Sequence, residues 1–271
     1  MIKTIPVINN KGGVGKTTTT VSLAAGLGRV GKQVLVVDLD SQGSASFALG
    51  IDREELNPST ADVMFEEKRP SEVIKSTATE NVDVLTGSLR LADVSTVLSS
   101  VEGREKRLAR GLSAIEDEYD TILIDCAPST SLLTVNALVA ADAFLIPVSP
   151  SYLSLEGIVS LGKVVKNVRM SLGEAAPVLG VLLTMVQRDD EETRAIIKEV
   201  RQHYGGKVFD TEVQYDPALE EAPTRGASVF DYAADSQGAV QYKQVVKEVV
   251  DRMERYGSVY GTVREKTSER V

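Results

Sequence analysis

The sequence contains the segment Asn10-Lys11-Gly12-Gly13-Val14-Gly15-Lys16-Thr17, which follows a short apolar run and leads into a long helical pattern. Glycines at such a junction let consecutive backbone N–H groups turn toward an anion, and the helix beyond adds the positive end of its dipole. In this arrangement Lys16 reaches the β- and γ-phosphates of a nucleotide and the Thr17 hydroxyl ligates Mg²⁺. The strict pattern G-x-x-x-x-G-K-[ST] is not met, because Asn10 stands where its first glycine belongs. A second lysine, Lys11, precedes the glycines.

Short β-branched runs alternate with longer helical patterns along the chain. We predict strands at residues 4–9, 33–38, 82–85, 121–125, 143–148, 178–184 and 207–213. We predict helices at residues 17–30, 104–118, 132–140, 155–172, 191–204 and 237–256. Several of the strands are nearly continuous apolar runs, as expected when both faces of a parallel sheet are buried. The pattern therefore predicts an α/β fold, a doubly wound and mostly parallel sheet flanked by helices.

Pro6 breaks a rule of strand composition. Proline has no N–H to donate to a ladder and belongs at sheet edges, strand starts or bulges. We therefore expect either that the first strand begins after Pro6 or that Pro6 lies at a bulge.

The composition is that of an ordinary globular protein, with 271 residues, 42% of them hydrophobic, and a net charge of −9. Cys126 is the single cysteine and His203 the single histidine, which excludes an internal disulfide and removes most of the material for Cys/His metal sites or Ser-His-Asp catalysis. We expect Cys126 to be a buried, inert thiol.

The sequence has no signal-peptide pattern and no apolar run long enough to span a membrane, so we expect a soluble cytoplasmic protein. We expect one domain at residues 1–256 and a polar, mobile tail at residues 257–271.

Three carboxylates follow predicted strands. Asp38 and Asp40 close the second strand and Asp125 closes the fourth. An open α/β sheet binds its ligands at the carboxyl ends of its strands. Phosphoryl transfer needs positioned positive charge, Mg²⁺ and an oriented water, and three carboxylates near a phosphate loop suit that chemistry. For Asp38 a structural role, as the cap of a loop at the strand end, is the alternative.

The loop Lys11-Gly12-Gly13-Val14-Gly15-Lys16-Thr17-Thr18 resembles the deviant Walker A motif of the ParA/MinD family of P-loop ATPases. Four further blocks extend the resemblance to the ParA branch over residues 1–256: VVDLDSQG at 36–43, YDTILIDCAP at 119–128, IPVSP at 146–150 and EAP at 221–223. The resemblance implies a P-loop NTPase fold, ATP and ADP as ligands, Mg²⁺ as cofactor, and ATP hydrolysis with slow intrinsic turnover.

The resemblance also implies a role for each site residue. Lys11 crosses an ATP-sandwich dimer to the phosphates of the partner's nucleotide, and Asp40 orients the attacking water. The catalytic set is then Lys11, Lys16 and Asp40. The nucleotide is held by Lys11, Gly12, Gly13, Val14, Gly15, Lys16, Thr17 and Thr18, with Met185 and Val213 framing the adenine. The metal set is Thr17, Asp38, Asp40 and Asp125, in which Asp125 is the Walker B acid that holds Mg²⁺ through water.

In this family ATP favours a dimer, the dimer binds a surface, and a partner protein triggers hydrolysis. ParA relatives use nucleoid DNA as the surface, and MinD relatives use the membrane through a C-terminal amphipathic helix. Residues 257–271 contain no Leu, Phe or Trp, so we expect no membrane binding. The resemblance implies an ATP-dependent homodimer that binds double-stranded DNA nonspecifically, associates with the nucleoid, and partitions a chromosome or plasmid with a ParB-like DNA-binding activator.

Basic residues on predicted helices are the candidates for DNA contacts, although each set also fits a solvated helix face. The sets are Arg104, Lys106, Arg107 and Arg110; Lys163, Lys166 and Arg169; Lys198 and Arg201; and Lys243 and Lys247.

The sequence departs from the family before the EAP block. ParA relatives have an I-P-R-N-x-R-like stretch there, whereas residues 213–220 read VQYDPALE, with the departure at 214–219. Two alternatives remain open: a ParA-like ATPase that positions a protein cluster or organelle, and a metabolic P-loop enzyme that phosphorylates a small acid.

Overall fold

A computed structural model describes the backbone of residues 2–173 and 175–268 and, apart from 152–156 and 257–268, their side chains. The chain forms a seven-stranded sheet in the order β3-β4-β2-β5-β1-β6-β7. The strands are β1 Thr4–Val7, β2 Val34–Leu39, β3 Lys75–Ser76, β4 Val82–Leu85, β5 Thr121–Cys126, β6 Phe144–Val148 and β7 Val178–Leu183. All neighbouring strands are parallel except β3, which is antiparallel to β4. The predicted doubly wound, mostly parallel sheet is confirmed.

Helices connect the strands and cover both faces. They are α1 Lys16–Arg29, α2 Ser44–Ala48, α3 Thr60–Glu66, α4 Val94–Val97, α5 Arg107–Leu112, α6 Leu132–Ala140, α7 Tyr152–Leu172, α8 Glu191–Tyr204, α9 Pro217–Thr224, α10 Val229–Tyr232 and α11 Gln237–Ser268. Short 3₁₀ turns lie at Arg53–Glu55, Pro70–Glu72, Leu89–Asp93, Arg104–Lys106 and Gly205–Lys207. No helix in the described part of the chain has the length and apolar character to span a membrane.

The sheet separates two apolar clusters. Because successive side chains of a strand point to opposite faces, Leu35 and Ile124 pack with α5 to α8, whereas Val36 and Leu123 pack with α1 and α11. Both faces of the central strands are buried, which explains their nearly continuous apolar sequences.

The predicted strand at 207–213 is wrong. Only isolated bridges form in this region, between Val181 and Val208 and between Val186 and Gln214. The amides of Asp210 and Thr211 donate to the Glu248 carboxylate at 2.9 and 2.8 Å, so they cannot extend a ladder on β7.

Two helix boundaries also differ from the prediction. The helix expected at 104–118 is reduced to a 3₁₀ turn and α5, which ends at Leu112. The last helix continues past Tyr256 to Ser268. The division into a domain at 1–256 and a mobile tail stays a prediction.

Pro6 lies inside β1, opposite Ile124, and both explanations predicted for it are wrong. The strand begins at Thr4 and has no bulge at Pro6. Thr4 and Ile8, two residues either side of Pro6, bond toward β6, so the missing N–H also faces β6. The β1–β6 ladder is restricted to Val7 opposite Leu145, so the absent donor interrupts little.

Candidate functional site

The loop between β1 and α1 is shaped by glycines and by one asparagine. Gly13 and Gly15 have φ angles of 70° and 76°, in the left-handed region that glycine adopts without steric cost. The Asn9 side chain donates to the Pro147 carbonyl at 2.9 Å and accepts from the Lys11 N–H at 3.0 Å. The loop is thereby anchored to β6 and turns directly into the first turn of α1.

Lys16 lies at the start of α1 and is 7% exposed. Its ammonium donates to the Lys11 carbonyl at 2.8 Å, across the mouth of the loop. Burial lowers the pKa of Lys16, while the nearby Asp125 carboxylate opposes that shift. An ammonium has three donors, and the loop carbonyl takes one of them. The group is placed to hold an anion that enters the loop.

Asp125 receives hydrogen bonds from two threonines of α1. Thr17 Oγ1 lies 2.7 Å from Asp125 Oδ2, and Thr20 Oγ1 lies 3.1 Å from Asp125 Oδ1. Asp38 is opposite Asp125 in the register of β2 and β5, and both carboxylates are buried. Burial raises the pKa of both carboxyl groups, and Asp38 raises that of Asp125 further.

The donor set fits a hard divalent cation. The Thr17 hydroxyl and the Asp125 carboxylate offer oxygen ligands, which Mg²⁺ prefers, and a cation there would offset the cost of burying the carboxylate pair. Among the residues that the structure describes, no group of three or more Asp, Glu, His and Cys side chains forms a closed cage. The site therefore fits an ion such as Mg²⁺, which keeps waters and binds phosphate oxygens.

Asp38 also caps the loop after β2, as the structural alternative predicted. It accepts from the Asp40 N–H at 3.0 Å and from the Ser46 N–H and hydroxyl at 2.9 and 2.8 Å. Asp40 is partly exposed beside it and accepts from the Gln42 N–H at 2.9 Å. A Cβ at Gly87 would lie 2.3 Å from the Asp40 carbonyl oxygen, so the loop after β4 packs tightly against this turn.

A cavity beside the loop contains both residues predicted to frame an adenine. Met185 and Val213 line it together with Thr18. Thr184, next to Met185, also lines it, and the structure adds residues that sequence reasoning did not assign, namely Gln214, Tyr215, Asp216, Leu219, Glu220 and Tyr242. Five of them lie within residues 214–220, directly after Val213, and Tyr242 comes from α11, so only Tyr242 lies far from the predicted pair in the chain.

Lys11 lies between the loop and the beginning of α7. Its ammonium donates to Ser151 Oγ at 3.1 Å. A Cβ at Gly157 would lie 2.6 Å from Asn9 Oδ1 and 3.3 Å from Lys11 Cβ, so α7 approaches the loop closely at this glycine. Gly157 was not predicted as part of the site.

The candidate DNA-contact residues have different environments. Arg107 donates to the carbonyls of Met64 and Phe65 and pairs with Glu67, a structural role. The exposed members include Lys163, Lys166, Arg169, Lys198, Lys243 and Lys247. A groove along α8 combines Lys198 and Arg201 with Arg188 and Arg194, two arginines that sequence reasoning did not select.

Comparison with protein families and curated proteins gives consistent matches. A family model described as an AAA domain matches residues 2–176. The sporulation initiation inhibitor protein Soj of Bacillus subtilis is 40% identical over 249 residues, which cover 92% of this chain and 98% of the relative. The chromosome partitioning protein ParA of Caulobacter vibrioides is 35% identical over 253 residues, which cover 93% of this chain and 95% of the relative.

Solved structures share the fold. Cobyrinic acid a,c-diamide synthase from Mycobacterium smegmatis, with bound ADP and magnesium, superposes with a TM-score of 0.81 at 28% identity, covering 94% of this chain and 96% of that one. The septum site-determining protein MinD from Pyrococcus horikoshii, complexed with Mg-ADP, gives a TM-score of 0.76 at 27% identity, covering 92% and 96%. The chain has the glycine loop that leads into α1, and the two curated relatives align with more than 90% of its length. These findings and the shared fold show that the chain belongs to the Soj/ParA family of P-loop ATPases.

Proposed function

We propose that this protein binds ATP with Mg²⁺, hydrolyses it, and acts as a partitioning ATPase of the ParA type. The observation that carries the proposal is the meeting of Lys16, Thr17 and Asp125 at the mouth of the glycine loop, with Thr17 2.7 Å from Asp125. The bound ADP and magnesium of the synthase and MinD structures support the choice of ligands.

Each group of the site has a part in this proposal. The loop amides and Lys16 hold the phosphates, and Met185 and Val213 contact the base. Thr17 and Asp125 would hold Mg²⁺, with Asp38 beside them, and the bound ion would neutralise charge on the phosphate oxygens. Asp40, partly exposed at the end of β2, orients the attacking water. Because the residues of one chain provide only positioning and charge, we expect slow intrinsic turnover.

The proposal includes an ATP-dependent homodimer. Lys11 donates to Ser151 at the edge of the loop. If its side chain left this hydroxyl, the ammonium would be available to the nucleotide of a second copy. We therefore propose Lys11 as the residue that makes dimerisation part of catalysis.

The proposal further includes nonspecific double-stranded DNA and a ParB-like DNA-binding activator, by analogy with the partitioning relatives. The groove of Arg188, Arg194, Lys198 and Arg201 supports a DNA surface, because a net cationic groove suits a phosphate backbone. Ala218 and Tyr215 lie where the family pattern has arginines, so we place the contact on this groove and not on residues 214–219. The ATP-bound dimer would then associate with the nucleoid.

A second candidate is a metabolic enzyme, which the likeness to the diamide synthase favours. An enzyme of that class consumes ATP only with a small-molecule acceptor. ATP hydrolysis by the purified protein in buffer with no acceptor present would exclude such a requirement.

Turnover of ATP by Lys16→Ala tests the proposed function. We expect phosphate release from ATP and Mg²⁺ to fall to background in Lys16→Ala, because the loop loses its buried ammonium. Lys32→Ala, which removes an exposed lysine, serves as the control and should keep the parent rate. Turnover by Lys16→Ala at the parent rate would refute the proposal.

A further inference from the structure

The groove along α8 contains one carboxylate among its cations. Arg188, Arg194, Lys198 and Arg201 line it, and Glu212 lies at its base. The Glu212 side chain is 6% exposed, whereas those of Arg188 and Arg201 are 65% and 35% exposed. The arginines therefore face solvent while the carboxylate that binds them does not.

Glu212 holds one guanidinium on each of its oxygens. Arg188 donates to Oε2 from Nε at 3.0 Å, and its terminal nitrogen lies 2.8 Å from the same oxygen. Arg201 donates to Oε1 at 2.9 Å. Both Arg188 nitrogens lie on one carboxylate oxygen, so Glu212 occupies the edge of the guanidinium that could otherwise contact a phosphate. A phosphate that entered the groove would compete with Glu212 for the same donors.

We propose that Glu212 limits the affinity of this groove for DNA by occupying Arg188 and Arg201. The inference rests on the proposed function, since it names the residue that sets the strength of the DNA contact. Its negative charge also repels a phosphate at the base of the groove, and its burial protects the two ion pairs from screening by salt. An ATPase that must leave DNA after each cycle gains from such a limit.

Binding to random-sequence duplex DNA tests the inference. Each protein is prepared in an Asp40→Ala background with ATP and Mg²⁺, so that ATP persists, and the dissociation constant is measured at several salt concentrations. We expect Glu212→Gln to bind DNA several-fold more tightly. The slope of log affinity against log salt should steepen by about 0.9 for each arginine released, because each new phosphate contact releases counterions.

Two further variants test whether the effect arises from competition between Glu212 and phosphate for the arginines, or from a general change in charge or folding. Glu199→Gln removes an exposed glutamate of α8 and should leave the slope unchanged. Arg188→Ala should cost more DNA affinity in the Glu212→Gln background than in the parent, because only the released arginine contacts phosphate. Thermal unfolding of each variant checks that it is folded.

The outcomes distinguish this inference from the proposed function. Equal affinity and slope in Glu212→Gln would overturn the inference, and so would weaker binding, which would mean that the carboxylate positions the arginines for phosphate. Binding of DNA by Glu212→Gln but not by the parent would support the inference. If neither protein bound DNA while ATP still produced a dimer by light scattering, the DNA part of the proposed function would be wrong and the inference would fall with it.

Discussion

Asp62, in α3, is a buried carboxylate whose charge is balanced from two sides. Lys68 and Arg90 donate to its Oδ1 at 3.0 and 2.9 Å, and the Ser59 N–H donates to Oδ2 at 2.8 Å. Burial raises the pKa of Asp62, but these hydrogen bonds outweigh burial and lower it to about 2. The contacts join α3 to the 3₁₀ turn Leu89–Asp93, which follows the loop at Gly87. Asp62 therefore helps to hold in place the loop that packs against the turn after β2.

Asp62→Asn should reduce the free energy of unfolding by about 1–3 kcal/mol at pH 7, because it leaves charged donors without their carboxylate. A carboxyl with a lowered pKa in the folded state stabilises the protein above its unfolded value near 4, and this contribution is lost as pH falls through about 2. The difference between parent and variant should therefore shrink between pH 4 and pH 2. Urea unfolding at pH 7, 4 and 3 measures it, and a difference that does not depend on pH would contradict the assignment.

α1 packs so closely on its neighbours that two of its positions have no room for a side chain. A Cβ at Gly26 would lie 2.4 Å from the Val246 side chain of α11, and one at Gly28 would lie 2.3 Å from the Glu80 carbonyl oxygen. Glycine in a helix costs about 1 kcal/mol relative to alanine. The chain accepts that cost in the helix that begins with Lys16 and Thr17, because close packing fixes where those side chains lie.

Gly28→Ala should destabilise the protein by about 1–3 kcal/mol despite the better helix propensity of alanine, since the added methyl meets backbone and cannot be relieved by a rotamer change. Gly162→Ala in α7 is the matched control, because a Cβ there has no neighbour within 4 Å. It should be neutral or stabilise by up to about 1 kcal/mol. Denaturant unfolding measures both changes in the free energy of unfolding. Equal changes at the two positions would show that close packing does not determine the effect of an added methyl.

At the scale of the whole molecule, exposed basic side chains are concentrated on one part of an otherwise acidic protein. The net charge is −9, yet exposed lysines and arginines gather along α7 and α8. Lys11 contacts Ser151 at the beginning of α7, so the glycine loop and α7 touch directly. A dimer that forms over the loop would double the cationic surface.

Lys11→Ala should remain monomeric with ATP and Mg²⁺ in an Asp40→Ala background, in which we expect unaltered Lys11 to give a dimer. In the proposed dimer, the variant deprives the second copy of the ammonium that would reach its phosphates. Light scattering measures the mass, and Lys32→Ala is the control. DNA binding should disappear together with the dimer. A full-mass dimer in Lys11→Ala would refute the role proposed for this lysine.

The sequence by itself determined the sheet class and the phosphate loop, because both depend on local patterns. Apolar runs alternating with helical periodicity predicted the parallel strands, and glycines between β1 and α1 predicted the loop that is observed. The sequence singled out Asp38 and Asp125 because they lie at the ends of apolar runs, although their pairing across β2 and β5 required the register.

Only the tertiary structure decided the features that join distant segments. The Glu248 carboxylate takes the amides of Asp210 and Thr211, which is why the strand predicted at 207–213 does not form. The cavity beside the loop gathers residues from α1, the end of β7 and the turns before α9, and Glu212 meets Arg188 and Arg201 in the groove along α8. Each contact depends on side chains that are far apart in the chain and carry no shared local signal, so no periodicity or motif could predict it.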